Sequence, residues 1–307
     1  MDAIRVHSPA TVSNVVCGFD CLGFALSEPY DDITLRLIDE PVIRISHNDS
    51  FGLPTEPERN VAGVALRAML DAIDKEVGFD VEIAKGIKPG SGIGSSAASA
   101  CGAVVAANEL LGRRFSKLEL IEFAMAGEML ASGSRHADNL APCIFGGFVL
   151  VRSSQPLDVI ELDHPPLFAT VLHPQIEIKT SEARAILPRE VPLAAAVRNW
   201  SNLGAFVAAL NNGDTEMLSR AMRDEIIEPA RSSLIPGFDD VKNAGIAAGA
   251  IGGGISGSGP SMFMISATQE TAQSVAKAMS DVYSGIGIEF HTYVSAIDPN
   301  GVKMSAV

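Results

Sequence analysis

The stretch PGSGIGSSAASACG, residues 89–102, constrains the fold of this chain more than any other segment. Three glycines alternate with small residues, two serines follow, and an alanine-rich run then favours a helix. Glycine permits positive φ and a close approach of the backbone. A helix start also carries free N–H groups and partial positive charge. The pattern therefore predicts a tight loop that leads into a helix and offers backbone donors to an anion.

Four interpretations compete for this loop. The Walker motif needs a lysine after its last glycine, and no lysine follows a glycine in this stretch. The Rossmann fingerprint is matched by Gly92, Gly94 and Ala97. It also expects an acid about 20 residues further on, whereas the nearest acid, Glu109, falls inside the predicted helix. A phosphate cradle without a lysine, and a turn that only packs a helix closely on a sheet, both remain open.

Composition is that of a soluble globular protein and disfavours a nucleic-acid partner. Of the 307 residues 47% are hydrophobic and 20% charged, and the length predicts two domains. The net charge of −14 opposes binding to a phosphate backbone, which needs a basic surface. The charge-free stretches 89–108 and 243–269 are rich in Gly, Ala and Ser, so no membrane span is predicted. Four cysteines without metal spacing, and an N-terminus without a signal peptide, predict a cytoplasmic protein.

Alternation and helical spacing predict an α+β chain in two parts. Strands are predicted at 33–38, 42–46, 79–84, 146–151, 168–174, 261–265 and 289–294. Helices are predicted at 60–73, 95–111, from 116 onward with a Ser-x-x-Glu capping box, and at 192–210, 214–227, 238–248 and 269–283. Three prolines and scattered acids predict a boundary near residues 153–166. The predicted domains are residues 1–155 and 165–307.

Three segments together resemble the motifs of the GHMP kinase family. PGSGIGSSAA is similar to the second motif, Ser8–Leu26 to the first, and Gly252–Phe263 to the third. They occur in the family's order and span most of the chain. The first segment, with its P-A-T-x-x-N-x-x-x-G-F-D-x-L-G pattern, resembles the form found in homoserine kinases, one branch of that family.

The resemblance implies a fold, an activity and partners. The implied fold has an N-terminal ATP-binding domain with a left-handed βαβ unit, similar to domain 2 of ribosomal protein S5, and a ferredoxin-like C-terminal domain. A left-handed crossover runs against the general rule, so no pattern of residues predicts it. The implied activity is transfer of phosphate from ATP to L-homoserine, on the route to threonine, with Mg²⁺ as cofactor and a homodimer as the assembly. Another small-molecule kinase of the family, for mevalonate or shikimate, and a non-catalytic binding relative remain alternatives.

The resemblance also implies an ATP site. Its residues would be Asn60, Val61, Pro89, Gly90, Gly92, Ile93, Gly94, Ser95, Ser96, Ser258 and Gly259. Mg²⁺ would be held by Glu128 with Ser95 or Ser96. Glu128 lies mid-helix among apolar neighbours, where a carboxylate needs a partner, unless it faces water. Asn60 would equally serve as a helix N-cap, and the third motif would cover the phosphates, brace the first loop or form a tight connection.

An amino-acid substrate carries a carboxylate, which suits arginine forks, and an ammonium, which suits oxygen acceptors. The resemblance assigns the substrate to Asn14, Asp20, His136, Asp138, Asn139, Arg184 and Arg231. Its catalytic residues would be Asn139, Asp138, Glu128 and Thr180. The position that holds a catalytic aspartate in other family branches is filled by the amide of Asn139, which cannot accept a proton. Either Asp138 is the base or the hydroxyl passes its proton to the phosphate.

Overall fold

The computed structural model describes residues 3–73 and 76–305, and its first sheet has seven strands. They are β1 (Ala3–Val15), β2 (Gly18–Ile38), β3 (Ile43–His47), β4 (Gly78–Ala84), β5 (Phe148–Ser154), β6 (Leu157–Leu162) and β11 (Lys303–Ser305). The order is β11-β1-β2-β4-β3, and the β5–β6 hairpin pairs with the first part of β2. Among the described residues, β3 and β4 are the one parallel pair of this sheet, because a helix connects them.

Four helices pack against the first sheet: α1 (Val61–Asp71), α2 (Ser95–Leu110), α3 (Lys117–Ser132) and α4 (Leu140–Phe145). Helix α2 has buried residues on every side, among them Ala97, Ala100 and Gly102. Its small side chains allow β1, β2, α1 and α3 to approach it closely, so an alanine-rich helix can occupy the centre of this layer. The predicted capping box of α3 is confirmed: Ser116 and Glu119 bond each other's backbone N–H groups.

The second sheet is antiparallel and contains β7 (Phe168–Pro174), β8 (Gly252–Ile255), β9 (Met262–Ser266) and β10 (Phe290–Ala296). Its order, β10-β7-β9-β8, is that of a ferredoxin-like fold, in which helices follow the first and third strands. These helices are α5 (Thr180–Ala185), α6 (Leu193–Asn212), α7 (Thr215–Ala221), α8 (Glu228–Arg231), α9 (Phe238–Ala247) and α10 (Gln269–Ser284). The α+β fold class is therefore confirmed.

Several elements differ from the pattern that the sequence predicts: no strand is predicted for β1, β8 or β11, and β2 begins at Gly18 rather than at residue 33. The helix expected over 214–227 ends at Ala221, because the carboxylate of Asp224 accepts the N–H groups of Ile226, Ile227 and Glu228 and forms a turn instead. The proline-marked segment 153–166 contains β6, which pairs with β5. The division into 1–155 and 165–307 stays a prediction, and β11 pairs with β1 in the first sheet across it.

The connection between β1 and β2 links the two sheets. Asn14, Val16 and Asp20 have positive φ there, of 56°, 47° and 58°. The Gly257 N–H, just after β8, donates to the carbonyl of Ser13, and the Asn14 amide donates to the Gly257 carbonyl. The strained turn is thus held against the second sheet, which brings residues of both sheets to one cleft.

Within the described ranges, no helix has both the length and the apolar character needed to cross a membrane.

Candidate active site

A cavity of about 540 Å³ lies where the glycine loop, the β1–β2 connection, helix α3 and the segment 177–184 meet. All of the predicted site residues line it except Asn60, Ile93 and Gly259. The structure therefore brings together the loop that the sequence assigns to nucleotide and the charged residues that it assigns to an amino acid.

The three exceptions support the cavity from behind. Asn60 is the N-cap of α1: its oxygen accepts from Ala62 N at 2.9 Å and its amide donates to the Pro54 carbonyl. The Ile93 side chain is buried in the core, while its carbonyl accepts the Thr11 N–H at 3.1 Å. Gly259 lies behind the glycine loop. Each acts through its backbone or as a cap, so none presents a side chain to a ligand.

The glycine loop requires glycine at every second position. Gly90, Gly92 and Gly94 have φ of 73°, 79° and 70°, a region that L-residues with a side chain avoid. A Cβ on Gly92 would lie 2.5 Å from the Gly259 oxygen, and one on Gly94 would lie 2.1 Å from Oγ1 of Thr11. The loop therefore reaches the start of α2 with its backbone, rather than with side chains, at the cavity.

The third motif braces this loop. Ser256 Oγ donates to the Gly92 carbonyl at 2.7 Å, and Ser261 Oγ donates to the Ser91 carbonyl at 2.6 Å. Ser258 faces the cavity, with its Oγ 3.5 Å from Oγ1 of Thr180. The sequence leaves three roles open for this motif, and these hydrogen bonds correspond to the bracing role.

A hydroxyl and a carboxylate meet beside the loop. Ser96 Oγ donates to Oε2 of Glu128 at 2.9 Å, so the mid-helix carboxylate has the partner that its apolar surroundings demand. Burial raises the pKa of Glu128 to about 7; hydrogen bonds from Ser96 and Ser132 oppose the shift. Ser95 Oγ instead donates to the Ile87 carbonyl at 2.9 Å. Ser96 and Glu128 are oxygen ligands of the kind that Mg²⁺ takes together with water and phosphate.

Opposite the loop, charged side chains satisfy one another. Arg184 forms a two-pronged ion pair with Asp20, at 2.9 and 3.1 Å, and lies 3.0 Å from Nε2 of His136. Arg231 is buried and donates to the carbonyls of Gly257 and Ala183. Burial lowers the pKa of Arg231, and the nearby Asp20 opposes that shift.

Asp138 and Asn139 lie between the two groups. Asn139 Oδ1 accepts from Thr11 Oγ1 at 2.8 Å, and its Nδ2 donates to Ser13 Oγ at 2.9 Å, so the orientation of this amide is fixed. Asp138 is 4% exposed. Burial and the neighbouring Asp20 raise its pKa, while His136 opposes the shift.

Several residues of the cavity wall escaped the sequence argument. Lys85 and Ser99 line it beneath the loop, and Lys179 lines it at the start of α5. The ring of Phe19, which is not part of the wall, lies 5.5 and 5.0 Å from the guanidinium groups of Arg184 and Arg231. The one signal in the sequence is that Lys85 stands between a strand and the glycine loop, four residues before Pro89.

The cavity combines backbone N–H donors at a helix start, a hydroxyl–carboxylate pair beside them, and ion-paired side chains opposite. This arrangement suits an enzyme that brings a nucleotide to a small charged acceptor. The class follows from family models: the GHMP kinase N-terminal domain matches residues 60–147 and the GHMP kinase C-terminal domain matches residues 206–285. The chain belongs to the GHMP kinase family, and this membership indicates an ATP-dependent small-molecule kinase.

Curated relatives narrow the comparison. A homoserine kinase of Chlorobium phaeobacteroides is 45% identical, over 99% of this chain and 100% of the relative. A homoserine kinase of Xanthomonas campestris is 39% identical, over 98% of this chain and 94% of the relative.

Solved structures agree with this fold. The crystal structure of a homoserine kinase from Cytophaga hutchinsonii has a TM-score of 0.95 and 48% identity, over 99% of this chain and 98% of that one. The L. major mevalonate kinase has a TM-score of 0.70 at 16% identity, over 95% of each chain, which is a likeness of fold alone.

Proposed function

We propose that this chain is a homoserine kinase, which transfers the γ-phosphoryl group of ATP to the hydroxyl of L-homoserine. The observation that carries the proposal is the cavity itself, in which the Asp20–Arg184 pair faces the glycine loop. A small zwitterion needs one anion and one cation a few ångströms apart, and this pair supplies both. The relatives that cover the whole chain support the same substrate.

At the nucleotide end, the N–H groups of residues 92–96 and the start of α2 would receive the phosphates. Val61 and Leu53 line the same cavity and would give an apolar wall to the base. Ser96 and Glu128 would hold Mg²⁺, which neutralises charge on the phosphates when it is bound. The Ser95 hydroxyl is committed to the Ile87 carbonyl, so Ser96 is the better ligand of the two.

At the acceptor end, the substrate would exchange with the ion pair. Its ammonium would take Asp20, and its carboxylate would take Arg184 with Arg231 behind it. The exchange preserves charge, since each side chain loses one partner and gains another of the same sign. Both polar atoms of Asn14 are occupied, by Asp20 N–H and the Gly257 carbonyl, so Asn14 would position Asp20.

In the reaction the homoserine hydroxyl would attack the γ-phosphorus in line, and Asn139 would orient it. The proton would go either to Asp138, whose pKa burial and the neighbouring Asp20 raise, or to the phosphate itself. Asp138→Asn separates these routes. A loss of 100-fold or more in kcat assigns a base to Asp138, because general bases contribute about 10²–10⁴-fold. A loss of a few-fold assigns direct transfer.

The family likeness supports three further proposals: a homodimer, a cytoplasmic enzyme, and a division of the chain into residues 1–155 and 165–307. Light scattering on the purified protein measures the assembly. Limited proteolysis with mass spectrometry measures the division, which predicts a first cut just after β6, at residues 163–165.

The function is tested by following ADP release from MgATP with L-homoserine, mevalonate, shikimate or galactose in separate reactions, beside a blank without acceptor. Release with homoserine alone is expected. Release with another alcohol would keep the kinase and remove the substrate assignment from Asp20 and Arg184. Nucleotide binding without release in any reaction would favour the non-catalytic relative.

A further inference from the structure

A buried ion pair lies directly beneath the glycine loop. Asp31 of β2 is fully buried, and the side chain of Lys85, which follows β4, is 1% exposed. The two residues face each other one step beyond the Asp32–Ala84 pair of the β2–β4 ladder, and Lys85 reaches the cavity wall. The family motifs do not include either residue.

Every hydrogen-bonding position of this pair is used to tie two pieces of backbone together. Asp31 Oδ1 accepts the N–H groups of Gly86 and Ile87, each at 3.1 Å, and Asp31 Oδ2 accepts from Lys85. The ammonium of Lys85 also donates to the Ser95 carbonyl at 2.8 Å and to Ser99 Oγ at 2.9 Å. Burial raises the pKa of Asp31, and Lys85 with the N–H groups of Ile87 and Gly86 opposes that shift.

The hydrogen bond from Lys85 to the Ser95 carbonyl affects a backbone N–H group that would donate to phosphate. The Ser95 carbonyl and the Ser96 N–H belong to one peptide unit, and in a planar trans peptide these two groups point in opposite directions. A hydrogen bond that fixes the carbonyl of Ser95 therefore fixes the direction of the Ser96 N–H, at the start of α2. The Ser95 hydroxyl, bonded to the Ile87 carbonyl, holds the same residue from its other side.

Stability alone does not account for a buried pair at this place. Two ions lose their hydration when they are buried, and apolar side chains of similar volume stabilise a core as well or better. The net charge of the pair is zero, so it adds little field of its own to the cavity. The remaining role of the pair is geometric, because its hydrogen bonds fix the first turn of α2 relative to the segment 85–87.

We propose that the Lys85–Asp31 pair is a positioning element of the nucleotide site, which orients the Ser96 amide and the first turn of α2 toward the phosphates. The proposal rests on the proposed function insofar as it takes the anion to be a nucleoside phosphate. Lys85 acts through Ser95 and Ser96, and not by contact with the reacting atoms.

The test measures MgADP affinity by calorimetry, the melting temperature, and the KM values for ATP and homoserine. Lys85→Met should melt earlier and bind MgADP about tenfold more weakly or worse, the usual size of a lost charged hydrogen bond. The KM for homoserine should stay within about twofold, because the acceptor residues keep their partners. Unchanged MgADP affinity in Lys85→Met would overturn the proposal.

A second variant separates the effect of the pair on the position of the Ser96 amide from its effect on the stability of the fold. Asp31→Asn combined with Lys85→Met keeps an acceptor for the Gly86 and Ile87 N–H groups and removes both charges. Its melting temperature should return most of the way to that of the unmodified protein, while MgADP binding stays weak. Recovery of MgADP affinity together with the melting temperature would overturn the proposal and leave the pair a structural one.

Lys242→Met is the matched control. It breaks the partly buried Lys242–Glu228 pair of the second sheet's helices and should lower the melting temperature with MgADP affinity unchanged. Failure of the proposed function is read separately, because MgADP binding requires no homoserine. If the unmodified protein binds MgADP but does not phosphorylate homoserine, the substrate assignment is wrong. The MgADP affinities of the variants still test the role of the Lys85–Asp31 pair.

Discussion

The two ends of the cavity are made of different parts of the polypeptide. At the proposed nucleotide end backbone amides would receive the phosphates, and the side chains of Ser256, Ser261 and Lys85 bond the carbonyls of Gly92, Ser91 and Ser95. At the proposed acceptor end side chains would receive the substrate, and Asp20 and Arg184 bond each other.

This difference implies that the two ends would bind their ligands in different ways. A backbone site must be formed before the ligand arrives, since amides cannot be turned without moving the chain. A site of paired side chains is satisfied while empty, and binding replaces one set of partners with another. The nucleotide end should therefore fail sharply when its backbone is disturbed, whereas the acceptor end should lose only the contacts that are removed.

Gly92→Ala tests whether the nucleotide end loses activity sharply when its backbone is disturbed. It should have the largest effect of all the variants on kcat/KM for ATP. The new Cβ would lie 2.5 Å from the Gly259 oxygen at a φ of 79°, so two backbone loops must separate. A misplacement of about 1 Å in such a site costs about 100-fold, and we expect at least that loss in kcat/KM for ATP.

The matched control is Gly112→Ala, at the other end of α2. Gly112 has a φ of 80° and no atom within 4 Å of a Cβ, so the variant pays about 1–2 kcal/mol of conformational strain without a clash. Its kcat/KM for ATP should match that of the unmodified enzyme. Equal losses in both variants would mean that glycine flexibility, and not the fit of the loops, governs the nucleotide end.

Arg184→Ala tests the acceptor end. Loss of a charged hydrogen-bond partner, worth about 1.5–3 kcal/mol, should raise the KM for homoserine about 10–150-fold and leave the KM for ATP unchanged. Steady-state kinetics with each substrate varied in turn measures both. Arg198→Ala removes an exposed ion pair with Glu225 and serves as the control that should change neither KM. A KM for homoserine unaffected by Arg184→Ala contradicts the assignment.

Ser96→Ala and Ser95→Ala distinguish two neighbouring hydroxyls at the nucleotide end. Ser96 is bonded to Glu128, so its loss should raise the Mg²⁺ concentration needed for half-maximal rate several-fold. Ser95 is bonded to the Ile87 carbonyl, so its loss should lower stability by about 0.5–1.5 kcal/mol and leave the Mg²⁺ requirement alone. Mg²⁺ titrations and thermal melts measure the two effects, and the opposite assignment of effects would place the metal on Ser95.

Glu128→Gln tests, through the melting temperature without Mg²⁺, what a buried carboxyl group costs the fold when the nucleotide end is unoccupied. Burial raises the pKa of Glu128 from its ordinary 4.5 to about 7. A raised carboxyl pKa stabilises the fold fully below the ordinary value, and the contribution is lost as pH rises through about 7. In a buffer with chelator the variant should therefore gain melting temperature over the unmodified protein at about pH 8 relative to about pH 5. A difference between the two proteins that does not change with pH would contradict the shift.

Much of the fold follows from local pattern. Strand β7 has the bounds 168–174 that its apolar run predicts, and the glycine loop leads into a helix at Ser95 as predicted. Strand β8 escaped prediction because three of its four residues are glycine, which has low strand propensity. Its pairing with β9 admits no larger residue at one position, since a Cβ on Gly253 would lie 2.0 Å from the Phe263 oxygen.

The resemblance to the family's motifs named residues, such as Glu128 and Arg184, that the fold brings to one cavity. It did not give their hydrogen-bond partners. Which polar groups pair is a matter of tertiary contact: Ser261 bonds a carbonyl 170 residues away, and Lys85 bonds a carboxylate 54 residues away. No local pattern states such partners, so the Asp20–Arg184 ion pair and the hydrogen bonds of Lys85 are visible only in the folded chain.

The edge strand β11 ties the last part of the chain to the first. Residues Lys303–Ser305 pair with Arg5–His7 of β1, and Ile297 bridges to Leu26 of β2. During synthesis this edge of the first sheet is therefore exposed until residues 303–305 have been translated. A ribosome-bound chain that stops at residue 298 would carry the whole glycine loop, but its first strand would still offer unpaired backbone groups to any neighbouring chain.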